Sequence, residues 1–303
     1  MNTRDRVRAL RAQGFPVSVV AAAVGVSRSR AYAVLREKPP APRGDPDAIT
    51  KQRLRDLAGE FPTYGYRQLT VWLNRRWRER ANRKRVLRLC RELGILVTVR
   101  ERRAKRRQVR GRIEVSASDE HWQADMTKVW CGNDGWGYLF GVIDAHDREL
   151  TGYRFSLTCR TDDLLSALDE ALLYRFAHAP LRSSEATSLR STRGPAPGLA
   201  LRTDNGPQMT SRRFKGVLAA CDIAHERTGY NNPDGEAYSE RFFRTLKEEE
   251  VWLHDYHSFA EASAAIARFI SYYNAERPHQ ALGYLSPQEF RAEQARSLLT
   301  KAA

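Results

Sequence analysis

Between His121 and Thr158 three strand-like runs follow one another with only turns between them: HWQADMTKVW, GYLFGVIDAHD and LTGYRFSLT. They are rich in β-branched and aromatic residues and bounded by turn-formers, as strands are. After them the pattern alternates. TDDLLSALDEALLYRFAH reads as a helix, LALRTDN as a fourth strand ending in a loop, and Ser211 to Cys221 as a helix. IAHERTG reads as a short fifth strand, followed by a helix through AYSERFFRTLKEE and another from Ser258 to Ala275. A meander followed by alternating helices and strands predicts an α/β fold, a mixed five-stranded sheet flanked by helices. RSSEATSLRSTRGPAPG, 182–198, is polar and reads as a surface excursion.

The first hundred residues carry no strand signal. Residues 3–13 form an amphipathic helix, Val17 to Ala23 a second, Gly25 a turn, and Ser27 caps a third running to Glu37. This is helix-turn-helix spacing, with Arg28 and Arg30 at the start of the second helix of the pair, where base edges or phosphates are reached. KPPAPRGDPD is a proline-rich linker. Helices are then predicted over Ile49–Gly59, Tyr66–Arg78 and Asn82–Leu93, the last turning Val86, Leu87, Cys90 and Leu93 inward and stopping at Gly94. Its outer face carries Arg83, Lys84, Arg85, Arg88 and Arg91. RERRAKRRQVRGR, 100–112, holds eight basic residues in thirteen, among them Arg103, Lys105, Arg106 and Arg107, and reads as an arm that orders against phosphates. The predicted organisation is a helix-turn-helix at 1–38, a linker at 39–48, a second helix-turn-helix-like DNA-binding domain at 49–99, a basic linker at 100–118, a catalytic core at 119–290 and a tail at 291–303.

Charge follows the same division. Residues 1–112 hold 30 Lys and Arg against 9 Asp and Glu, whereas the remainder holds 21 against 27. A polycationic front joined to a mildly acidic body points to nucleic-acid binding coupled to different work. No run of eighteen apolar residues is present and the charged N-terminus has no signal-peptide core, so no membrane partner is expected. Cys90, Cys131, Cys159 and Cys221 lie far apart, which excludes zinc-type spacing and reads as reduced thiols in a cytoplasmic protein.

The chemistry is carried by acids at strand ends. Asp125 lies in the first strand, Asp204 ends the fourth, and Glu240 stands on the helix after the fifth. In α/β sheets, sites assemble beyond strand ends. Three carboxylates meeting there suit Mg²⁺ or a similar hard cation, and a pair of such ions serves in-line phosphoryl transfer. The nearby acids Glu236 and Asp144 are set aside, the first for its position in the loop or first turn, the second as a turn-former. His121 reads as a polar edge residue and Trp122 as a packing one. Arg277, Pro278 and His279 either touch DNA or close a helix by packing on the core.

WQADMT, RTDNG and AYSERFFRTLKEE, with 78 residues between the aspartates and 35 between Asp204 and Glu240, resemble the Asp-Asp-Glu core of bacterial insertion-sequence transposases with a retroviral-integrase-like domain. YYNAERPHQALGYLSP is similar to the family's C-terminal signature, and YGYRQLTVWLNRR with NRKRVLRLCRELGI is similar to its preceding helix-turn-helix module. The resemblance implies a ribonuclease H-like fold, dependence on two Mg²⁺ or Mn²⁺ ions, and strand cleavage and transfer at transposon ends. It makes Asp125, Asp204 and Glu240 the metal-binding triad, and Lys247, with Arg244 on the same helix, a contact to substrate DNA. It further implies terminal repeats and target DNA as partners, a homo-oligomer on DNA, a possible partner from an upstream reading frame, and a nucleoid-associated bacterial protein. The alternatives are a DNA-binding regulator or inactive transposase remnant, and a hydrolysis-only nuclease of the same fold.

Overall fold

In the computed structural model the described residues are 2–36, 45–97, 115–176, 196, 198–228 and 237–302. Arg103, Lys105, Arg106, Arg107, Glu236 and most of the 182–198 excursion lie outside them. The chain divides into two compact units, Met1–Arg53 and Leu54–Ala303.

The first unit is built on α1 (Thr3–Ala12), α2 (Val17–Val24) and α3 (Arg28–Arg36). Asn2 caps α1 by accepting the amides of Arg4 and Asp5. Gly25 sits at φ 73°, a left-handed position that ends α2 without the steric cost a side chain would bring. Val7, Val20, Ala31 and Val34 fill the small core.

In the second unit, helix α4 (Ala48–Glu60, whose first turns belong to the other unit) contributes Leu54 and Leu57 to a core shared with α5 (Tyr66–Trp77) and α6 (Arg83–Glu92). Asn82 caps α6 and Gly94 turns the chain out at φ 67°. One inward assignment needs correction. Leu89 is fully buried, while Leu87 is only half-buried, because the buried face of α6 is centred on Val86, Leu89 and Cys90.

The sheet has the order β3-β2-β1-β4-β5. Strands β1 (His121–Trp130), β2 (Trp136–Asp144) and β3 (Leu150–Ser156) form the antiparallel meander that the sequence predicts. After α7 (Thr161–Phe176), strand β4 (Ala200–Thr203) returns parallel to β1. Helices α8 (Pro207–Thr210) and α9 (Arg212–Ala220) lead to β5 (Ala224–Arg227), parallel to β4. Helices α10 (Ala237–Glu249), α11 (Phe259–Ala275) and α12 (Pro287–Ala302) complete the chain. This mixed order with helices on both faces is a ribonuclease H-like core.

Alternation along β1 assigns the faces. Trp122 and Ala124 enter the core made with α7 and α9. Val129 enters the opposite core, filled by Phe242, Phe243 and Leu246 of α10 and by α11. Gly152 explains how α7 lies so close to β3: a Cβ there would stand 2.3 Å from the Ala167 carbonyl oxygen. The stretch 291–302, read as a tail, continues α12.

Candidate active site

The site begins with a register. β1 and β4 are parallel neighbours, and Ala124 is paired with Thr203. The next residue on each strand is therefore Asp125 and Asp204, at the point where β4 ends and β1 runs on. Asp125 and Gln123 share one face of β1 by alternation, the face that meets α10. That helix is hung from Gln123, whose side-chain Oε1 accepts the amide of Tyr238 at 3.1 Å and that of Ser239 at 3.2 Å. Glu240 is the following residue. Asp125 on β1 and Asp204 just past the end of β4 thus occupy neighbouring backbone positions, and the third acid follows directly on the anchored start of a helix packed over the same face.

Local bonds shape the two aspartates. Asp125 Oδ1 accepts the Met126 amide at 2.6 Å. Asp204 Oδ1 accepts the Gly206 amide at 2.8 Å, so RTDNG closes as a tight turn over its own carboxylate. Thr203 donates its hydroxyl to the Asp204 carbonyl at 3.0 Å and lies 2.9 Å from His225 Nε2. Burial, reinforced by Arg227 and Lys215, lowers the His225 pKa. Asp125 and Asp204 are half-buried, and Glu240 is exposed.

The donor set is all oxygen, which suits a hard divalent cation. Among the described residues, no group of three His, Cys, Asp or Glu side chains is gathered closely enough to hold a metal ion in this conformation.

Opposite Asp125 in the register stands Gly141. A Cβ there would lie 3.4 Å from Phe243 Cζ and 3.1 Å from Leu150 Cδ1, so the glycine leaves room for the ring that seats α10 beneath Glu240. Phe242 and Phe243 meet edge to face, with ring centroids 5.3 Å apart. Arg148 covers Tyr238 in the first turn of α10, its guanidinium 3.6 Å from the ring centroid.

Two models described as "Integrase core domain" match this part of the chain, over residues 115–233 and 221–287. A model described as "HTH-like domain" matches residues 45–103. Transposase InsD for insertion element IS2D of Escherichia coli (strain K12) is 27% identical over 309 residues, covering 96% of this chain and 96% of the relative. Transposase InsD for insertion element IS2-9 of the same strain is 27% identical, covering 96% of this chain and 94% of the relative. The chain belongs to the insertion-element transposases with an integrase core.

Solved structures similar to the transposase include a simian T-cell lymphotropic virus intasome, at 17% identity and a TM-score of 0.41 over 74% of this chain and 69% of that one. They also include the HTLV-2 integrase catalytic core domain in complex with magnesium, at 15% identity and a TM-score of 0.38, covering 57% and 97% of the two chains. The Mos1 mariner transposase catalytic domain shares 13% identity at a TM-score of 0.40, covering 50% and 70%.

The remaining sequence-predicted residues of the transposase fall in several places. Arg28 and Arg30 are exposed in the first turn of α3, and Ser27 Oγ accepts the Arg30 amide as the cap requires. Lys84 is exposed at the start of α6, Arg85 is half-buried, and the Arg83 guanidinium lies 4.8 Å from the Tyr284 ring. Arg244 is exposed on α10 and Lys247, two turns beyond Glu240, is half-buried. Asp144 does shape its turn, its carboxylate accepting the amides of Asp119, His146 and Asp147. His121 is no edge residue: it is buried on a central strand, 3.1 Å from Glu226 Oε2. Arg277, Pro278 and His279 pack inward rather than presenting a surface. Arg277 forks onto Glu249, and the His279 ring stands edge-on to Tyr273 at 4.6 Å. Sequence reasoning missed Gln123, and it read Gly206 as part of the turn after Asp204 without the amide bond that the glycine makes to that carboxylate. All four cysteines are free. No described helix is long and apolar enough to cross a membrane.

Proposed function

We propose that the transposase binds the terminal repeats of its element and catalyses divalent-metal-dependent strand cleavage and strand transfer, with Asp125, Asp204 and Glu240 as its catalytic carboxylates. The single observation supporting this is the Ala124–Thr203 pairing, which sets both aspartates at one level of the sheet beneath the anchored end of α10. Mg²⁺ or Mn²⁺, held by these three acids, would supply charge neutralisation at the reacting phosphate. Gathering the three around it requires Glu240 and the aspartates to turn toward one another when metal and DNA bind.

The chain's own residues have distinct tasks in this scheme. Gln123 orients the start of α10, and Gly206 and Thr203 orient Asp204. Lys247 and Arg244 supply positive charge along the same helix for the DNA backbone. In the first step water attacks the phosphorus at the element end, the P–O3′ bond breaks, and a 3′-hydroxyl and a 5′-phosphate result. In the second, that hydroxyl attacks a target phosphodiester, a new P–O3′ bond forms, and the target's own 3′-oxygen leaves with the proton. One phosphodiester is exchanged for another, and no covalent protein intermediate is involved. Arg28, Arg30, Lys84, Arg85 and the basic stretch around Arg103, Lys105, Arg106 and Arg107 grip phosphates, and two DNA ends call for a homo-oligomer on DNA, with or without the product of an upstream reading frame.

Incubation of the full chain with end-labelled element DNA, target DNA and Mg²⁺ tests this. Joined product is expected from the native chain and none from Asp204→Asn; full activity in Asp204→Asn refutes the assignment. The ungrouped carboxylates favour one second reading, a chain that occupies element ends without cutting them. Retained end binding with no cleavage at any Mg²⁺ or Mn²⁺ concentration would select it.

A further inference from the structure

The helix that carries Glu240 is held at both ends. At its start Gln123 accepts two amides, as described. At its other end Glu249 receives a two-pronged fork from Arg277, Nε to Oε2 at 2.7 Å and Nη2 to Oε1 at 2.5 Å. Both side chains are nearly enclosed, 12% and 14% exposed. A bidentate guanidinium–carboxylate pair fixes direction as well as distance, which a lysine cannot do.

The Arg277 guanidinium lies between the helical module of residues 54–97 and α11. Tyr64 and Tyr273 present their rings to the Arg277 guanidinium at 6.0 and 5.9 Å. The Tyr64 hydroxyl is hydrogen-bonded to that of Tyr272 on α11. Around this bond runs an aromatic seam: Phe61 stacks on Tyr64 at 4.8 Å, on Trp72 at 5.2 Å and on Tyr272 at 5.9 Å. Arg75 closes one side of it, donating to the Tyr284 carbonyl at 3.0 Å and to Glu289 at 2.8 Å. The seam therefore joins the helix-turn-helix-like module to the turn between α11 and α12, and Arg277 joins that turn to α10.

We propose that Arg277 is a positioning residue for the transposase reaction: by fixing Glu249 to the seam, it makes the seating of the 54–97 module and the placement of Glu240 one mechanical unit. The proposal rests on the reading of Glu240 as a catalytic carboxylate for its effect on turnover, but not for its effect on the helix. Glu240 and Glu249 are nine residues apart, about 13 Å along a rigid α-helix, so a change of tilt at one end is carried to the other. A module moved by DNA would then move the carboxylate with it.

The test is amide hydrogen exchange across residues 237–249 of the full chain without metal or DNA, with strand-transfer turnover measured in parallel. Arg277→Lys keeps the charge and loses the fork. It is expected to speed exchange in α10 about tenfold relative to β1 and β2, and to lower turnover about tenfold with end-DNA affinity unchanged. Phe61→Ala, which loosens the seam from the module side, is expected to do the same, and the double variant no more than either alone. Tyr272→Phe keeps every ring and removes one hydroxyl; it is expected to speed α10 exchange two- to threefold, and it serves where the larger changes prevent folding. Unchanged α10 exchange in Arg277→Lys or in Tyr272→Phe overturns the proposal, as does a double variant whose effects simply multiply. The exchange readout does not involve the Glu240 carboxylate, so a failure of the triad assignment, seen as full activity in Glu240→Gln, is distinguishable from a failure of this one.

Discussion

Gln123 on β1 and Ser239 on α10 are 116 residues apart in the chain and joined by one hydrogen bond, side-chain Oε1 to amide nitrogen at 3.2 Å. The same oxygen takes the Tyr238 amide. The first amides of a helix have no partner within it, and here a buried side chain from the sheet supplies one. Gln123→Leu keeps the volume and removes the acceptor. It is expected to destabilise the chain by about 1–3 kcal/mol, the cost of buried amides left unbonded. Because those amides belong to the two residues just before Glu240, strand transfer should fall more steeply than the fraction folded. Chemical denaturation and single-turnover assays on the same preparation measure the two effects separately, and equal losses would reduce Gln123 to a packing residue.

Gly206 tests the second carboxylate. Its backbone, at φ −58° and ψ 153°, is one any residue adopts. A Cβ there would nevertheless lie 2.9 Å from Asp204 Oδ1, the atom that the Gly206 amide binds. Gly206→Ala should therefore fold normally, with a change in stability within about 0.5 kcal/mol, and displace the Asp204 carboxylate. A loss of roughly tenfold in turnover is expected, with end-DNA affinity unaltered. Full turnover in a folded Gly206→Ala chain would mean that this turn does not orient the acid.

Glu240 separates function from stability most cleanly. It is exposed on α10, while Phe242, Phe243 and Leu246 beside it carry the packing. Glu240→Gln is expected to leave the unfolding midpoint within the range of ordinary surface substitutions, about 0.5 kcal/mol, and to abolish cleavage and joining alike. Phe243→Ala is expected to do the opposite first: a loss of about 3–5 kcal/mol of stability, with activity falling as folded protein is lost. Thermal melts beside the labelled-end assay distinguish the two. Retention of cleavage without joining in Glu240→Gln would contradict a single shared site.

Local patterns made the elements legible, and distant pairings did not show. The alternation of HWQADMTKVW gave β1 to the residue, and the cap at Ser27 and the stop at Gly94 gave helix ends. That β4 lies beside β1, and so Asp204 beside Asp125, is a fact of strand order, which no local period encodes. The 35-residue interval pointed to the third acid only through family resemblance. His121 read as an edge residue because the meander alone leaves β1 outermost; the later strands β4 and β5 bury it. Arg277 was ambiguous for the same reason, since its partner Glu249 lies 28 residues upstream and Tyr64 lies in another module. Gly206 carried the signal of a turn, whereas Gln123 carried none beyond standing two residues from an aspartate.

His279 gives a pH dependence whose sign can be worked out. Burial, helped by the positive Arg277, pushes its pKa from the ordinary 6.5 down to about 3. Above pH 6.5 the ring is neutral in folded and unfolded chains, and it contributes no pH dependence. Below 6.5 the unfolded chain takes up a proton that the folded chain refuses, so stability falls by about 1.4 kcal/mol per pH unit until the folded ring also titrates. Between pH 7 and pH 5 the loss from this one residue amounts to roughly 2 kcal/mol. His279→Gln cannot titrate and should escape that part of the acid sensitivity, whatever stability it has at pH 7. Denaturant midpoints of the two chains at pH 7 and pH 5 provide the comparison. The carboxylates are common to both and cancel in the difference. Parallel midpoint shifts in the two chains would show that the His279 ring accepts a proton where it sits against Tyr273, and that the enclosure of this turn is looser than its geometry implies.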